Sequence, residues 1–92
     1  MTVLDSVRYR AEVTEIARYY ADIRQPLSFR FLDAVADARN RAIIAPLAHR
    51  ERKDGARVVL LRRFPYRLRF WLSEDRRILR VLSLTHTARK PE

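Results

Sequence analysis

The sequence contains no cysteine, one glycine and two histidines in 92 residues. Without cysteine the chain forms no disulfide, thiolate nucleophile or cysteine-containing zinc site, which is typical of proteins from a reducing compartment. A single glycine, Gly55, excludes the glycine-rich loops that hold the phosphates of nucleotides. His49 and His86 are too few to build a histidine metal centre. We therefore expect neither a metal ion nor a nucleotide cofactor.

Long apolar runs are also missing. Charged side chains interrupt the first thirty residues throughout, so no apolar core of a signal peptide and no membrane-spanning run is present there. A chain of 92 residues is the size of one small domain. We predict a single cytoplasmic domain over residues 1–92 with no membrane partner.

Positive charge is in excess and unevenly distributed. Twenty Lys and Arg residues face eleven Asp and Glu residues, which gives a net charge of +9. Eighteen of these twenty cations are arginines, and residues 49–92 hold thirteen of the twenty against five acidic residues. Arginine binds carboxylates and phosphates through paired hydrogen bonds. The composition therefore predicts an anionic partner that contacts the second half of the chain.

The first half of the sequence predicts a short strand and two helices. Thr2 to Leu4 has the composition of a strand, and Asp5 or Ser6 can cap a helix that runs to about Arg24. A Gln-Pro pair ends that helix and begins another, roughly Leu27 to Ala45. Apolar residues recur three and four positions apart in both segments, so each helix carries one apolar stripe. These stripes are Tyr9, Val13, Ile16, Tyr20 and Ile23, then Phe31, Val35, Ala38, Ala42 and Ala45.

The second half changes to the period of two that is typical of strands. After a polar loop, we predict strands over Arg57 to Arg63, Tyr66 to Leu72 and Arg77 to Thr85. In the middle strand, apolar residues alternate with two arginines and a tryptophan, so one face of the strand is apolar and the other is rich in arginine. The apolar residues are Tyr66, Leu68, Phe70 and Leu72, and the others are Arg67, Arg69 and Trp71. The last strand is apolar on both faces, which predicts a central position in the sheet. The fold class is α+β, with an N-terminal short strand and a helical hairpin packed on a small antiparallel sheet.

Several short motifs follow one another along this chain. They are a tyrosine pair in residues 16–21, an RFLDAV segment in residues 30–35, RRFPY in residues 62–66, ILRVL in residues 78–82 and an H-x-x-R-x-P tail in residues 86–91. In this order and spacing they resemble toxins of the RelE/ParE superfamily, and most closely the ParE-like subgroup. The similarity covers nearly the whole chain.

This resemblance implies a function. The chain would be the toxin of a type II toxin–antitoxin module, a class of modules that is associated with plasmid stabilization. In such a module the C-terminal segment of the cognate antitoxin wraps the toxin, and the two proteins form a hetero-oligomer. ParE-type members inhibit DNA gyrase, and RelE-type members cut mRNA in the ribosome. We interpret the chain as a ParE-like, non-enzymatic gyrase inhibitor. The alternatives are a RelE-like ribosome-dependent mRNA endoribonuclease and a basic nucleic-acid-binding domain without toxicity.

His86 is the candidate catalytic residue of the nuclease alternative. Attack of a 2′-OH on the neighbouring phosphate needs a group that takes a proton, cationic stabilisation and an acid for the leaving oxygen. His86 has a suitable intrinsic pKa, and its position is similar to that of a His in some RNase members. Arg63 and Arg89 would then flank the phosphate. The other interpretation is that His86 caps the strand end or bonds to a backbone carbonyl, since no stacking aromatic residue follows it.

The candidate binding residues lie on a strand face and on the first helix. Arg67, Arg69 and Trp71 share the polar face of one strand, where they would bind nucleic acid, remain solvated or bind an acidic and apolar antitoxin segment. Of the two partners we favour the antitoxin over nucleic acid, and we place Arg80 with these residues. Tyr19 points roughly 100° away from Tyr20 on the helix, so it either contacts a partner or packs at the helix rim.

Overall fold

The computed structural model of the protein describes residues 1–88. A first strand, β1 (Thr2–Asp5), is followed by two helices that form a hairpin, and three further strands complete one four-stranded sheet in the order β1-β4-β3-β2. The α+β class and the helical hairpin are confirmed. After β1, the elements are α1 (Val7–Ile23), α2 (Gln25–Ile44), a 3₁₀ turn (Pro46–Ala48), β2 (Arg57–Leu60), β3 (Tyr66–Leu72) and β4 (Ile78–His86).

The sheet is mixed rather than wholly antiparallel. β2, β3 and β4 pair antiparallel as predicted, whereas β1 pairs with β4 in parallel. Parallel neighbours need a long crossover, which the helical hairpin and the two intervening strands supply here. β4 lies between β1 and β3, so its predicted central position is confirmed.

The second strand is shorter than predicted. We expected it to reach Arg63, but β2 ends at Leu60. The amide of Leu61 donates to the carbonyl of Tyr66 at 3.0 Å, and the chain turns between them. Arg63 adopts a left-handed backbone with φ of 68° in this turn, a conformation that no strand residue adopts.

Ser6 fixes the start of α1 against the sheet. Its Oγ accepts a hydrogen bond from the amide of Tyr9 at 3.0 Å, which satisfies one of the free amides of the first helical turn. The same hydroxyl donates to the carbonyl of Leu82 on β4 at 2.8 Å. One side chain therefore serves as the helix cap and as a link between helix and sheet.

Two arginines of α2 fasten that helix across the sheet. Arg39 makes a bidentate ion pair with Asp5 on β1, with both N–O distances at 3.0 Å. Arg41 bonds to Asp37 at 2.9 Å and donates to the carbonyl of Leu60 on β2 at 3.0 Å. Because β1 and β2 are the two outer strands, these contacts hold α2 at both edges of the sheet.

The core lies between the hairpin and one face of the sheet. Its fully buried large side chains come from α2 and from all strands except β1, and they include Phe31, Val59, Leu68, Phe70 and Leu79. Two residues predicted for the helix stripes are exposed instead. Ile23 is 60% exposed because the stripe ends where the chain turns into α2. Ala45 is the non-helical residue after α2, with φ of −140°, so it leaves the helical stripe.

Neither α-helix of residues 1–88 combines the length and the apolar composition that crossing a bilayer requires.

Candidate functional site

The face of the sheet that turns away from the helices carries the predicted binding residues of the strands. The strand register places Arg80 between Leu4 and Trp71, and it places Arg67 and Arg69 beside residues of β2. We call this surface the open sheet face; it comprises Leu4, Val58, Leu60, Arg67, Arg69, Trp71 and Arg80. Leu60 is 58% exposed, Leu4 42% and Trp71 37%. The face therefore presents apolar side chains interleaved with cations.

The three arginines of the open sheet face differ in their bonds. Arg69 donates to Asp54 at 2.8 Å and to the hydroxyl of Ser83 at 3.4 Å. Arg67 donates to the carbonyl of Thr87 at 2.8 Å. Within residues 1–88, Arg80 is exposed and has no such bond. Arg80 is consequently the guanidinium of this face that is most available to a partner.

Asp54 reduces the charge of this face at one end. The amide of Ala56 and the guanidinium of Arg69 both donate to its carboxylate, and they hold the pKa of Asp54 below its ordinary value of 3.8. The Asp54 carboxylate is therefore ionised at neutral pH and compensates one arginine. The uncompensated positive charge of the open sheet face therefore lies towards Arg80, which is beside Trp71.

A second surface is a cleft of about 490 Å³ between α1 and the end of β4. We call it the aromatic cleft; it is lined by Glu12, Glu15, Ile16, Tyr19, Tyr20, Tyr66, Leu84, Thr85 and His86. Tyr19 is 59% exposed, as its helical position predicts. Its ring also meets Tyr20 edge to face at 5.2 Å. Tyr19 thus packs on its neighbour and remains open to a partner.

His86 is held by the backbone at the end of β4. Its Nδ1 accepts a hydrogen bond from the amide of Ala88 at 3.0 Å, so the contact is to an amide and not to a carbonyl. An acceptor nitrogen carries no proton, and the neutral ring therefore has its proton on Nε2. Nε2 is therefore the ring nitrogen that is left to contact another group. The ring also packs edge to face on Tyr66, with centroids 5.3 Å apart.

Two other ionisable groups of the aromatic cleft, Tyr20 and Glu12, are held by their surroundings. Burial, with Tyr66 beside it, raises the pKa of Tyr20 above its ordinary value of 10.0, so this hydroxyl stays protonated. One oxygen of Glu12 accepts the amide of Leu84 at 3.0 Å. Within residues 1–88, β4 has no neighbouring strand beyond Val81 on its β1 side, and Glu12 takes the place of a strand partner there. The sequence pattern gave no signal for this role.

Arg63 lies in a different cleft from His86. Its cleft has a volume of about 500 Å³ and lies between α2 and the β2–β3 connection. Phe64 and Tyr66, which contact Tyr20 edge to face at 5.2 and 6.4 Å, belong to the aromatic packing between the two clefts. Arg89, the third member of the predicted catalytic group, lies outside the described residues.

The architecture is a helical hairpin packed on a small four-stranded sheet. A solved structure of the chromosomal ParDE toxin–antitoxin (TA) system from P. aeruginosa contains a chain with the same fold, at a TM-score of 0.80. The match covers 94% of this chain and 95% of that chain, at 14% sequence identity. No family model and no curated protein matches the sequence. The similarity lies in the fold, which confirms the fold that the sequence predicts.

Proposed function

We propose that this protein is the toxin of a type II toxin–antitoxin module, that a cognate antitoxin holds it inactive and that its target is DNA gyrase. The structural match to a chain of the ParDE system carries the proposal, because it spans 94% of this chain at a TM-score of 0.80. A fold alone supports many functions, so the surfaces must supply the rest of the argument.

The open sheet face supports an antitoxin partner. Its exposed apolar residues lie among arginines, and an amphipathic or extended segment with acidic side chains complements both features. A nucleic acid would require several cations that are available to phosphates. Arg67 and Arg69 already have protein partners, so the face fits an acidic and apolar peptide better than a polyphosphate chain. Tyr19, in the aromatic cleft, extends the surface that a wrapping segment would contact.

The geometry of His86 supports a binder over a nuclease. Its Nδ1 is occupied by the amide of Ala88, and Arg63 lines a separate cleft. General acid–base catalysis contributes roughly 10² to 10⁴ in rate. A ribonuclease that depended on His86 would therefore lose most of its toxicity in His86→Gln. In the proposed gyrase inhibitor, Gln preserves a hydrogen-bonding group at the strand end and toxicity persists.

The test compares growth, DNA supercoiling and mRNA ends after induction. We expect the wild type and His86→Gln to stop growth equally, to inhibit supercoiling by purified gyrase and to leave mRNA 5′ ends unchanged in primer extension. Co-expression of the cognate antitoxin should restore growth. New mRNA ends that disappear in His86→Gln would establish the RelE-like alternative. A chain that leaves growth unaffected would contradict the toxin assignment.

A further inference from the structure

The cleft that contains Arg63 is built from two walls. Leu27, Arg30 and Ala34 form the wall on α2, and Arg63 and Phe64 form the wall on the β2–β3 connection. We call it the arginine cleft; Asp33, Asp37 and Arg62 complete its lining. Its volume of about 500 Å³ accommodates one or two side chains of another molecule.

The charges of the arginine cleft leave two guanidiniums without a carboxylate. Asp37 is bonded to Arg41 at 2.9 Å and has Arg62 at 3.8 Å. Within residues 1–88, by contrast, no carboxylate oxygen lies within 4.0 Å of Arg30 or Arg63. These two cations stand on opposite walls. A carboxylate that enters the cleft between the two walls would complement both cations.

The apolar part of the cleft packs directly on the core. The Phe64 ring packs edge to face on Tyr20 at 5.2 Å and on Phe31 at 5.6 Å, and Phe31 is fully buried. The part of Phe64 that stays exposed faces the cleft, together with Leu27 and Ala34. An apolar side chain that binds here loses contact with water without a rearrangement of the core.

We propose that the arginine cleft binds an acidic and apolar peptide segment of a protein partner, with a carboxylate between Arg30 and Arg63 and an adjacent apolar side chain on Phe64. Only the identity of that partner, the cognate antitoxin, rests on the proposed function. Asp33 and Asp37 line the same cleft and repel a chain of several phosphates more strongly than a single carboxylate. One carboxylate next to an apolar group fits this combination better than a nucleic acid does.

The chain offers a matched pair of variants for the test. Arg63 and Arg76 are the two non-glycine residues with positive φ in residues 1–88, at 68° and 61°. Arg76 lies in the exposed turn between β3 and β4 and does not line the arginine cleft. Arg63→Gly and Arg76→Gly therefore remove the same charge and relieve the same backbone strain. Of the two residues, Arg63 lines the arginine cleft and Arg76 does not.

The experiment titrates the full-length protein with short capped peptides and follows the arginine Nε–H signals by NMR. The probes are Ac-Leu-Glu-Phe-NH₂, its Gln counterpart and inorganic phosphate. We expect the Glu peptide to shift the Arg30 and Arg63 signals saturably and the Gln peptide to bind roughly tenfold more weakly. Arg63→Gly should weaken the binding of the Glu peptide by a similar factor. Arg76→Gly should leave its affinity unchanged.

Other results would overturn the proposal. Equal binding of the Glu and Gln peptides would exclude a carboxylate site, and tighter binding of phosphate at the same signals would make it a phosphate site. Equal losses in both glycine variants would show an effect of net charge alone. Absence of any peptide shift would refute the cleft as a site. Growth inhibition is measured separately, so a failed titration with intact toxicity refutes the cleft and leaves the proposed function standing.

Discussion

The two faces of the sheet differ in what their side chains contact. On the inner face, Leu68, Phe70 and Leu79 are 0% exposed beneath the helical hairpin. On the outer face, one residue further along the same strands, Trp71 is 37% exposed and Arg80 is exposed. Side chains that alternate along one strand therefore enter two different environments.

This difference separates stability from recognition. A buried side chain contributes its transfer from water and its packing contacts, so its loss is expensive for folding. An exposed apolar or cationic side chain contributes little to folding and is available for a partner. Variants one residue apart should consequently change different measurements.

The largest effect is expected for Phe70→Ala. Truncation of a fully buried Phe lowers the free energy of unfolding by about 3–5 kcal/mol, a large share of the total for a domain of this size. The adjacent Trp71→Ala should cost about 1 kcal/mol or less, because Trp71 lies on the open sheet face. Urea unfolding followed by circular dichroism measures both. Equal losses at the two positions would refute the separation of the two faces.

The second prediction concerns partner binding. Trp71→Ala with Arg80→Ala should weaken binding of the cognate antitoxin by roughly 30-fold or more, because aromatic and arginine side chains dominate most interfaces. Arg10→Ala, an exposed arginine of α1, is the control with the same change in charge. Calorimetric titration measures the affinity, which should also fall between about 50 and 200 mM salt. A larger loss in the control variant would place the antitoxin on the helices.

The third effect is smaller and links helix to sheet. Ser6→Ala removes the cap of α1 and the bond to Leu82, and we expect a loss of about 1–2 kcal/mol in the free energy of unfolding. Thr14→Ala is the control, since its hydroxyl bonds only to the carbonyl of Arg10 within the exposed helix. Its cost should remain within about 0.5 kcal/mol. Thermal unfolding compares the two, and equal costs would show that the link to β4 contributes nothing.

The smallest effect concerns acid stability. Hydrogen bonds from Ala56 and Arg69 lower the pKa of Asp54, so the ionised carboxylate stabilises the fold above the unfolded pKa. This stabilisation is lost as the pH falls through the lower, folded pKa. Because Asp54 is exposed, we expect less than about 1 kcal/mol. Asp54→Asn should reduce the fall of the free energy of unfolding below about pH 4. Asp22→Asn on α1 is the control, and its free energy of unfolding should fall as in the wild type. An equal fall of the free energy of unfolding with pH in Asp54→Asn and in the wild type would contradict the prediction.

The local elements could be read from the sequence because their signals are local. The spacing of Phe31, Val35 and Ala38 marks the buried stripe of α2, and these three residues are buried. The alternation around Arg67 and Arg69 likewise marks the two faces of β3. A helix or strand repeats its environment every few residues, so one segment contains the whole pattern.

The candidate site was predictable only in part. The sequence identified Tyr19, Trp71 and the strand arginines as exposed or half-exposed, since their positions follow from the same periodicity. It grouped His86 with Arg63, which line separate clefts in the structure. Nothing in the pattern indicated how Glu12 contacts β4. Those features depend on which segments become neighbours.

The sequence by itself determined the absence of cysteine chemistry, the excess of arginine, the helical hairpin and the three antiparallel strands. Only the tertiary structure decided that β1 lies parallel to β4, that Nδ1 of His86 is occupied and that Arg30 and Arg63 face one cleft. The bonds of Ser6 to Leu82 and of Glu12 to Leu84 join residues 76 and 72 positions apart. Periodicity describes the faces of one segment, whereas such contacts arise only when the whole chain buries its apolar surface in one core.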